Sequence, residues 1–189
     1  MKNDIGELIK VRRATPPKFL AKTEVSKELI KELLENANWA PTHKNTEPWR
    51  FKIFRGEAKH KLAADIYDLL LNGSVNAPVN LQKAEKFTSA LKSVPVAIAI
   101  VLQRDEAERI PEWEEVAAVS MAVQNMWLTA TANGLGAFWS TPDFMPLLND
   151  LIHLKAGQKL LGFFYVGEIA IDYPSTGRGN VEEKTEWFD

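Results

Sequence analysis

The stretch 113–132 keeps helical spacing but has no polar face: Val116, Ala117, Val119, Met121, Ala122, Val123, Met126, Leu128 and Ala130 are spread nearly all round it. A helix that is apolar on every side must be buried, either in a core or against another subunit. With 189 residues the chain lies in the size range of one domain. So short a chain cannot easily cover such a helix twice over, which argues for pairing with a second copy.

The remaining elements follow from periodicity and punctuation. Asp4 is placed to cap a first helix with Ile5, Leu8, Ile9 and Val11 on one side, ending around Arg12-Arg13 before Pro16-Pro17. Ser26 caps a second, in which Leu29, Ile30, Leu33, Leu34 and Ala37 recur at helical spacing until Pro41 stops it. A polar turn over 42–47 leads to a half-buried strand over 49–54, then to a helix over 57–71 with Leu62, Ile66, Leu69 and Leu70 inward. Residues 72–74 read as a loop and 81–91 as a further helix; a lid would fall within 72–95. The β-branched run 94–102 suits a central strand covered on both faces. Gly134 and Gly136 end the long helix, a short strand over 137–140 and another buried strand over 161–169 follow, and the tail from Asp172 is turn-rich, then acidic. The expectation is an α+β layered domain over 1–189 with about four strands.

Composition removes several function classes. A net charge of -2 gives no basic field for nucleic acid and no attraction to an anionic membrane. There is no cysteine, hence no disulfide, thiolate ligand or cysteine nucleophile. His43, His60 and His153 lack metal-ligand spacing, so no metal site is expected. His60 and His153 read as surface or packing residues. G-x-S-x-G, P-loop and S-x-x-K motifs are absent, which disfavours hydrolases and nucleoside triphosphatases. The apolar run 94–102 is half the length of a membrane span, and the first residues do not read as a signal peptide, so the expected setting is cytoplasmic.

Three segments could carry chemistry. Arg12-Arg13-Ala14-Thr15 can merely complement a helix dipole, or can clamp an anion with guanidinium forks and a hydroxyl. The loop Trp39 to Trp49 can be a plain helix-to-strand connection. Its histidine, lysine and asparagine between tryptophans also suit an anionic ligand with a flat apolar part. Gly134-Leu135-Gly136 lacks the full dinucleotide fingerprint; Gly134 reads as a helix cap, and the small residues could also admit a planar ligand. The residues alone leave these alternatives open. The pairs Glu114-Glu115 and Glu182-Glu183 diverge on a helix and read as solvated faces.

Taken in order, the chain resembles the nitroreductase family, specifically its shorter members. The resemblance rests on the opening helix ending Arg-Arg, the segment W-A-P-T-H-K-N-T-E-P-W-R-F, an A-V-Q-N helix, G-L-G-A-F-W, G-F-F-Y-V-G-E and a late arginine. It implies a mainly antiparallel sheet flanked by helices and a homodimer with FMN in sites built from both subunits. It also implies an enzyme that uses NADH or NADPH to reduce small-molecule acceptors such as nitroaromatics, quinones or enones. By that resemblance Arg12, Arg13 and Ala14 lie near the FMN phosphate and ribityl chain, and Arg178 closes on the phosphate. Trp139, Ser140 and Thr141 line the isoalloxazine edge, while Pro41, Thr42, His43 and Asn45 reach in from the partner with Trp39 behind. No protein nucleophile or obligatory acid or base is implied. The family usually has serine at position 14 and a cation at position 16, where this chain has alanine and proline. Thr15, Lys18, His43 and Lys44 are the groups that could substitute. Specialised family reactions, such as reductive dehalogenation or flavin fragmentation, and a binding or redox-sensing role are the alternatives.

Overall fold

The computed structural model describes residues 5–71, 80–172 and 177–188. In chain order the elements are α1 (Ile5–Val11), α2 (Lys27–Ala37), β1 (Trp49–Arg55), α3 (Gly56–Leu71), α4 (Leu81–Ser93), β2 (Val96–Gln103), α5 (Glu112–Ala132), β3 (Leu135–Ser140) and β4 (Gln158–Glu168). The strands form one sheet in the order β1-β2-β4-β3, every neighbouring pair antiparallel. The architecture is therefore α+β, as expected, and no helix among the described residues is long and apolar enough to cross a membrane.

Strand β2 is central, as its β-branched run predicts, and its two faces feed two separate cores. Val96, Ile98, Ile100 and Leu102 pack with α2 and α5 on one side. Ala97, Ala99 and Val101 face α3 and α4 on the other. On this second side Ala97 is paired with Tyr165 and Ala99 with Phe163, so small residues of β2 leave room for large ones of β4. Phe87 of α4 meets the Phe163 ring edge-on at 5.4 Å and the Phe144 ring at 5.3 Å. Burial raises the Tyr165 phenol pKa far above its usual value, so it stays neutral in this core.

The helices begin and end largely where the sequence places them. Ser26 caps α2, its hydroxyl accepting from the Leu29 amide at 3.1 Å. The helix ends at Ala37 with Asn38 as its cap, ahead of Pro41. Gly134, with φ +73, ends α5 as read, but Gly136 does not: it lies within β3. A Cβ there would meet Leu20 at 2.8 Å and Thr15 and Ile169 at 3.0 Å, so this glycine is needed for internal packing. Strand β4 starts three residues earlier than expected, at Gln158. Asp4, the loop 72–74 and part of the expected lid lie outside the described residues. The rest of that lid segment is largely α4, anchored in the core by Ala84, Phe87 and Leu91.

Two apolar surfaces differ from a simple inside–outside pattern. Helix α1 buries no residue; Ile5 is 60%, Ile9 51% and Val11 58% exposed. Helix α5 turns Ala118, Val119, Ala122, Val123, Met126 and Ala130 into the core, yet leaves Trp113 69% and Met121 40% exposed. Trp113, Ala117, Met121 and Leu128 recur at helical spacing on its outer side. One copy of the chain thus satisfies one half of the long helix.

A β-bulge in β4 shapes the sheet edge near β3. Register slips between Ile100 and Val101, opposite Gly162 and Leu160. Gly162 has φ +136, and a Cβ would stand 2.5 Å from the Ser140 carbonyl oxygen and from the Trp139 indole nitrogen. Gly162→Ala should therefore cost about 2–4 kcal/mol, combining backbone strain with overpacking. Urea denaturation checks this; a loss below about 0.5 kcal/mol, the range of a neutral surface change, would contradict the packing described.

Candidate functional site

After α1 the chain extends along the open edge of β3. Ala14 bridges Ala137 in parallel, and the Thr15 amide donates to the Ala137 carbonyl at 2.8 Å. Trp127 of α5 anchors this segment from below: its indole N–H donates to the Arg13 carbonyl at 3.0 Å, and the Arg12 guanidinium stacks 4.9 Å from its ring centroid. Partial burial, and after it the like charge of Arg178, lower the Arg12 pKa below its usual value. Arg12 and Arg178 therefore share one field, although far apart in sequence. Arg12 has no carboxylate partner among the described residues, whereas Arg13 is paired with Asp172. Thr15 is 1% exposed and packs beside Gly136, so its hydroxyl does not replace a serine at position 14 for a ligand arriving from solvent. Lys18 lies 4.8 Å from the ring centroid of its neighbour Phe19.

Farther along the same edge are Trp139, Ser140 and Thr141. The Trp139 indole N–H is committed to the Leu161 carbonyl at 3.2 Å, beside the β4 bulge. Trp139 and Ser140 are half-buried and Thr141 is exposed, so this strand end offers a partly open backbone and hydroxyl surface.

The third group lies beside β1, at the opposite edge of the sheet. Trp39 is 85% exposed, and Pro41, His43 and Asn45 are also exposed, with Thr42 half-buried. The turn His43–Asn45 has left-handed backbone at Lys44 (φ 52) and Asn45 (φ 51), and again at Glu47 (φ 42). Such conformations are costly for residues with a Cβ and persist only where their surroundings enforce them. Here the Thr42 hydroxyl lies 3.2 Å from that of Thr46 and accepts from the Glu47 amide. His43 Nδ1 is 2.6 Å from Glu114 Oε2, and Lys44 Nζ donates to the Arg109 carbonyl at 3.1 Å.

The glutamates of α5 correct the reading of a solvated face. Glu115 is fully buried, paired with Arg104 and accepting from the Asp105 amide at 2.9 Å; Glu114 faces His43. Successive helical residues point about 100° apart, so one carboxylate enters the fold while its neighbour meets the loop. Trp127 and Asp172, too, carry contacts with the arginine segment that the sequence reading missed. A large aromatic with an N–H on a helix otherwise rich in small residues was the available signal for Trp127; Asp172 offered none.

The expected site residues thus fall into two separate sets. Arg12 to Ala14 and Trp139 to Thr141 share the β3 edge, while Trp39 to Asn45 lies beside β1, about 14 Å away across three strand spacings. Along α5 the sets meet the helix at Trp127 and Glu114, which are about 20 Å apart at 1.5 Å per residue. A shallow recess of about 600 Å³ is lined by Leu34, Trp39, Trp49, Phe51 and Ile53 with polar neighbours, and of the expected residues it includes only Trp39. Neither this recess nor a smaller one beside Tyr67 and Lys92 joins the two sets within one chain. Two copies related by a twofold axis, with their α5 helices antiparallel, would set the Trp127 end of one beside the Glu114 end of the other.

Comparison with known proteins matches residues 9–168 to the model of the nitroreductase family. YdjA of Escherichia coli strain K12, which carries a provisional NAD(P)H nitroreductase name, is 27% identical over 166 residues, 87% of each chain. The crystal structure of a nitroreductase-like family protein from Bacillus cereus superposes with a TM-score of 0.85 at 28% identity, covering 100% of this chain and 97% of that one. The FMN-dependent nitroreductase NfnB from Mycobacterium smegmatis, solved with NADPH, shares the fold with a TM-score of 0.76 at 19% identity, covering 98% and 100%.

The polar layer behind the β1-side loop makes two predictions. Glu115→Ala strands the Arg104 charge in a largely buried position and should cost about 3–5 kcal/mol in urea denaturation; a cost under 1 kcal/mol would contradict it. Hydrogen bonds from Arg109 hold the Asp105 carboxyl down to about 2, against an ordinary 3.8. This contact therefore favours the folded state above about pH 4 and is lost as the pH falls through about 2. Carboxyl carbon NMR should give Asp105 a midpoint near that lower value, and a midpoint near 3.8 would show that the bonds are not formed.

Proposed function

This chain belongs to the nitroreductase family, and from that premise we propose that it is an NAD(P)H-dependent flavin oxidoreductase acting as a homodimer. Residues 1–189 make one FMN-binding domain, and each of two sites draws on both copies. The observation that carries the reading is Arg12: a partly buried guanidinium, facing the like charge of Arg178, with no carboxylate to answer it among the described residues. Two cations held together in this way fit a phosphate. The same edge fits the rest of FMN, with Ala14 giving backbone only and Trp139, Ser140 and Thr141 along the isoalloxazine edge. Arg13, already paired with Asp172, serves more to hold the segment than to neutralise the ligand.

The second copy supplies Pro41, Thr42, His43 and Asn45, with Trp39 behind them. Support for the dimer comes from the apolar outer side of α5 and from the exposed Ile5, Ile9, Val11, Trp187 and Phe188, which exceed scattered surface apolar residues. When bound, FMN supplies the hydride chemistry, which the protein's own side chains lack. The chain positions the group, keeps an open face over which NADH or NADPH and then the acceptor can lie in turn, and excludes water by pairing. Nitroaromatics, quinones and enones are the acceptor classes; protons come from water, and no side chain acts as nucleophile. The missing cation at position 16 leaves the flavin's charge to be met by the partner loop.

Purified protein should be yellow or take up FMN at one per chain, and either NADH or NADPH should bleach its absorbance anaerobically. A colourless protein that rejects added FMN would sink the proposal; bound FMN that neither nucleotide bleaches would leave binding without reductase activity. Arg12→Ala should weaken FMN binding about ten- to hundredfold, the worth of one charge-assisted contact, with little change in the denaturation midpoint. Fluorescence titration of FMN reads the effect, and unchanged affinity would remove Arg12 from the site.

A further inference from the structure

We propose that Glu114 is a positioning residue: it holds the His43 ring with its proton on Nδ1, so that Nε2 is the nitrogen presented to the ligand. The proposal rests on the FMN-site reading above. A carboxylate oxygen can only accept, so the 2.6 Å contact from Glu114 Oε2 requires a proton on Nδ1. Nε2 has no hydrogen-bond partner among the described residues, and the His43 side chain is 56% exposed. In the neutral ring Nε2 is then an acceptor. It suits a ligand N–H or O–H, both of which FMN offers in its ring and ribityl chain, and it is unsuited to phosphate oxygens.

The surrounding contacts explain why the orientation is fixed. The loop bends through left-handed backbone at Lys44 and Asn45, so it needs external ties to hold one shape. Two ties come from one rigid place: Glu114 on the first turn of α5, and the Arg109 carbonyl just before it. That place is itself pinned by Glu115 to Arg104 and by Asp105 to Arg109, whose Nε–Oδ2 distance is 2.8 Å. The three carboxylates of the α5 first turn also have three different partners. Glu112 pairs with Lys159 at 3.0 Å, Glu115 with Arg104 and Glu114 with His43. A purely dipolar role would give Glu114 no reason to face the imidazole. Fixing the tautomer of one ring nitrogen through the bond made by the other is how histidines are oriented in working sites.

The test uses the full-length dimer with histidine labelled in both ring nitrogens. Long-range ¹⁵N NMR of the neutral ring should show His43 as the Nδ1–H form in the wild type and in Glu114→Gln, and as the Nε2–H form preferred by free imidazole in Glu114→Ala. FMN titration should show Glu114→Ala weakening binding about tenfold, Glu114→Gln recovering most of that, and Glu114→Ala having no further effect in a His43→Ala background. An Nε2–H ring in the wild type overturns the proposal. So does a Glu114→Ala loss that is the same with and without His43, because Glu114 would then act through its charge alone. A wild-type protein that rejects FMN overturns the functional reading and the ligand half of this proposal together; the nitrogen spectrum still decides where the proton sits.

Discussion

Helix α5 carries apolar residues on its outer as well as its inner side, and a single chain buries only the inner ones. Its inner face fills the core against α2 and β2, while Trp113 and Met121 remain in solvent in a single chain. The same helix ties down both candidate half-sites, through Trp127 to the arginine segment and through Glu114 to the His43 loop. Because those ties are about 20 Å apart on a rigid rod, no local rearrangement of one chain can merge them. In the proposed homodimer, burying the outer face of α5 against a second copy would cover these residues and bring the two sets together in one step.

The charges follow the same logic. At one end, Arg12 is held over an aromatic ring next to Arg178, an arrangement that gains from an incoming anion. At the other, every charge of the Arg104–Glu115 and Asp105–Arg109 layer already has an opposite partner. The first set leaves a cation without a carboxylate partner among the described residues, and the second holds a strained loop still. Their separation explains how a chain with a net charge of only -2 can bring the two cations Arg12 and Arg178 together.

Much of the fold was legible in the sequence because its signals are local. The Ser26 cap, the β-branched run of β2 and the Gly134 stop each act over a few residues, and each lies where it was expected. What was not legible depends on contacts between distant residues. Nothing in the spacing of Glu114-Glu115 shows that one neutralises Arg104 and the other faces His43. Gly136 looked like a second helix stop, yet its smallness serves Leu20 and Thr15, which only the folded chain brings beside it. The candidate site residues were singled out as motifs through family resemblance, while their division between two edges of the sheet is a property of topology.

Hybrid dimers test most directly whether each FMN site is shared between two copies. Differently tagged Arg12→Ala and His43→Ala chains, each weak in FMN binding alone, are co-expressed and the mixed dimer isolated. In the shared-site account the mixed dimer holds one site with both substitutions and one with neither, so it should bind one FMN per dimer with wild-type affinity. A mixed dimer whose two sites are both as weak as those of the parents would mean that each site is built within one chain, and would contradict the account.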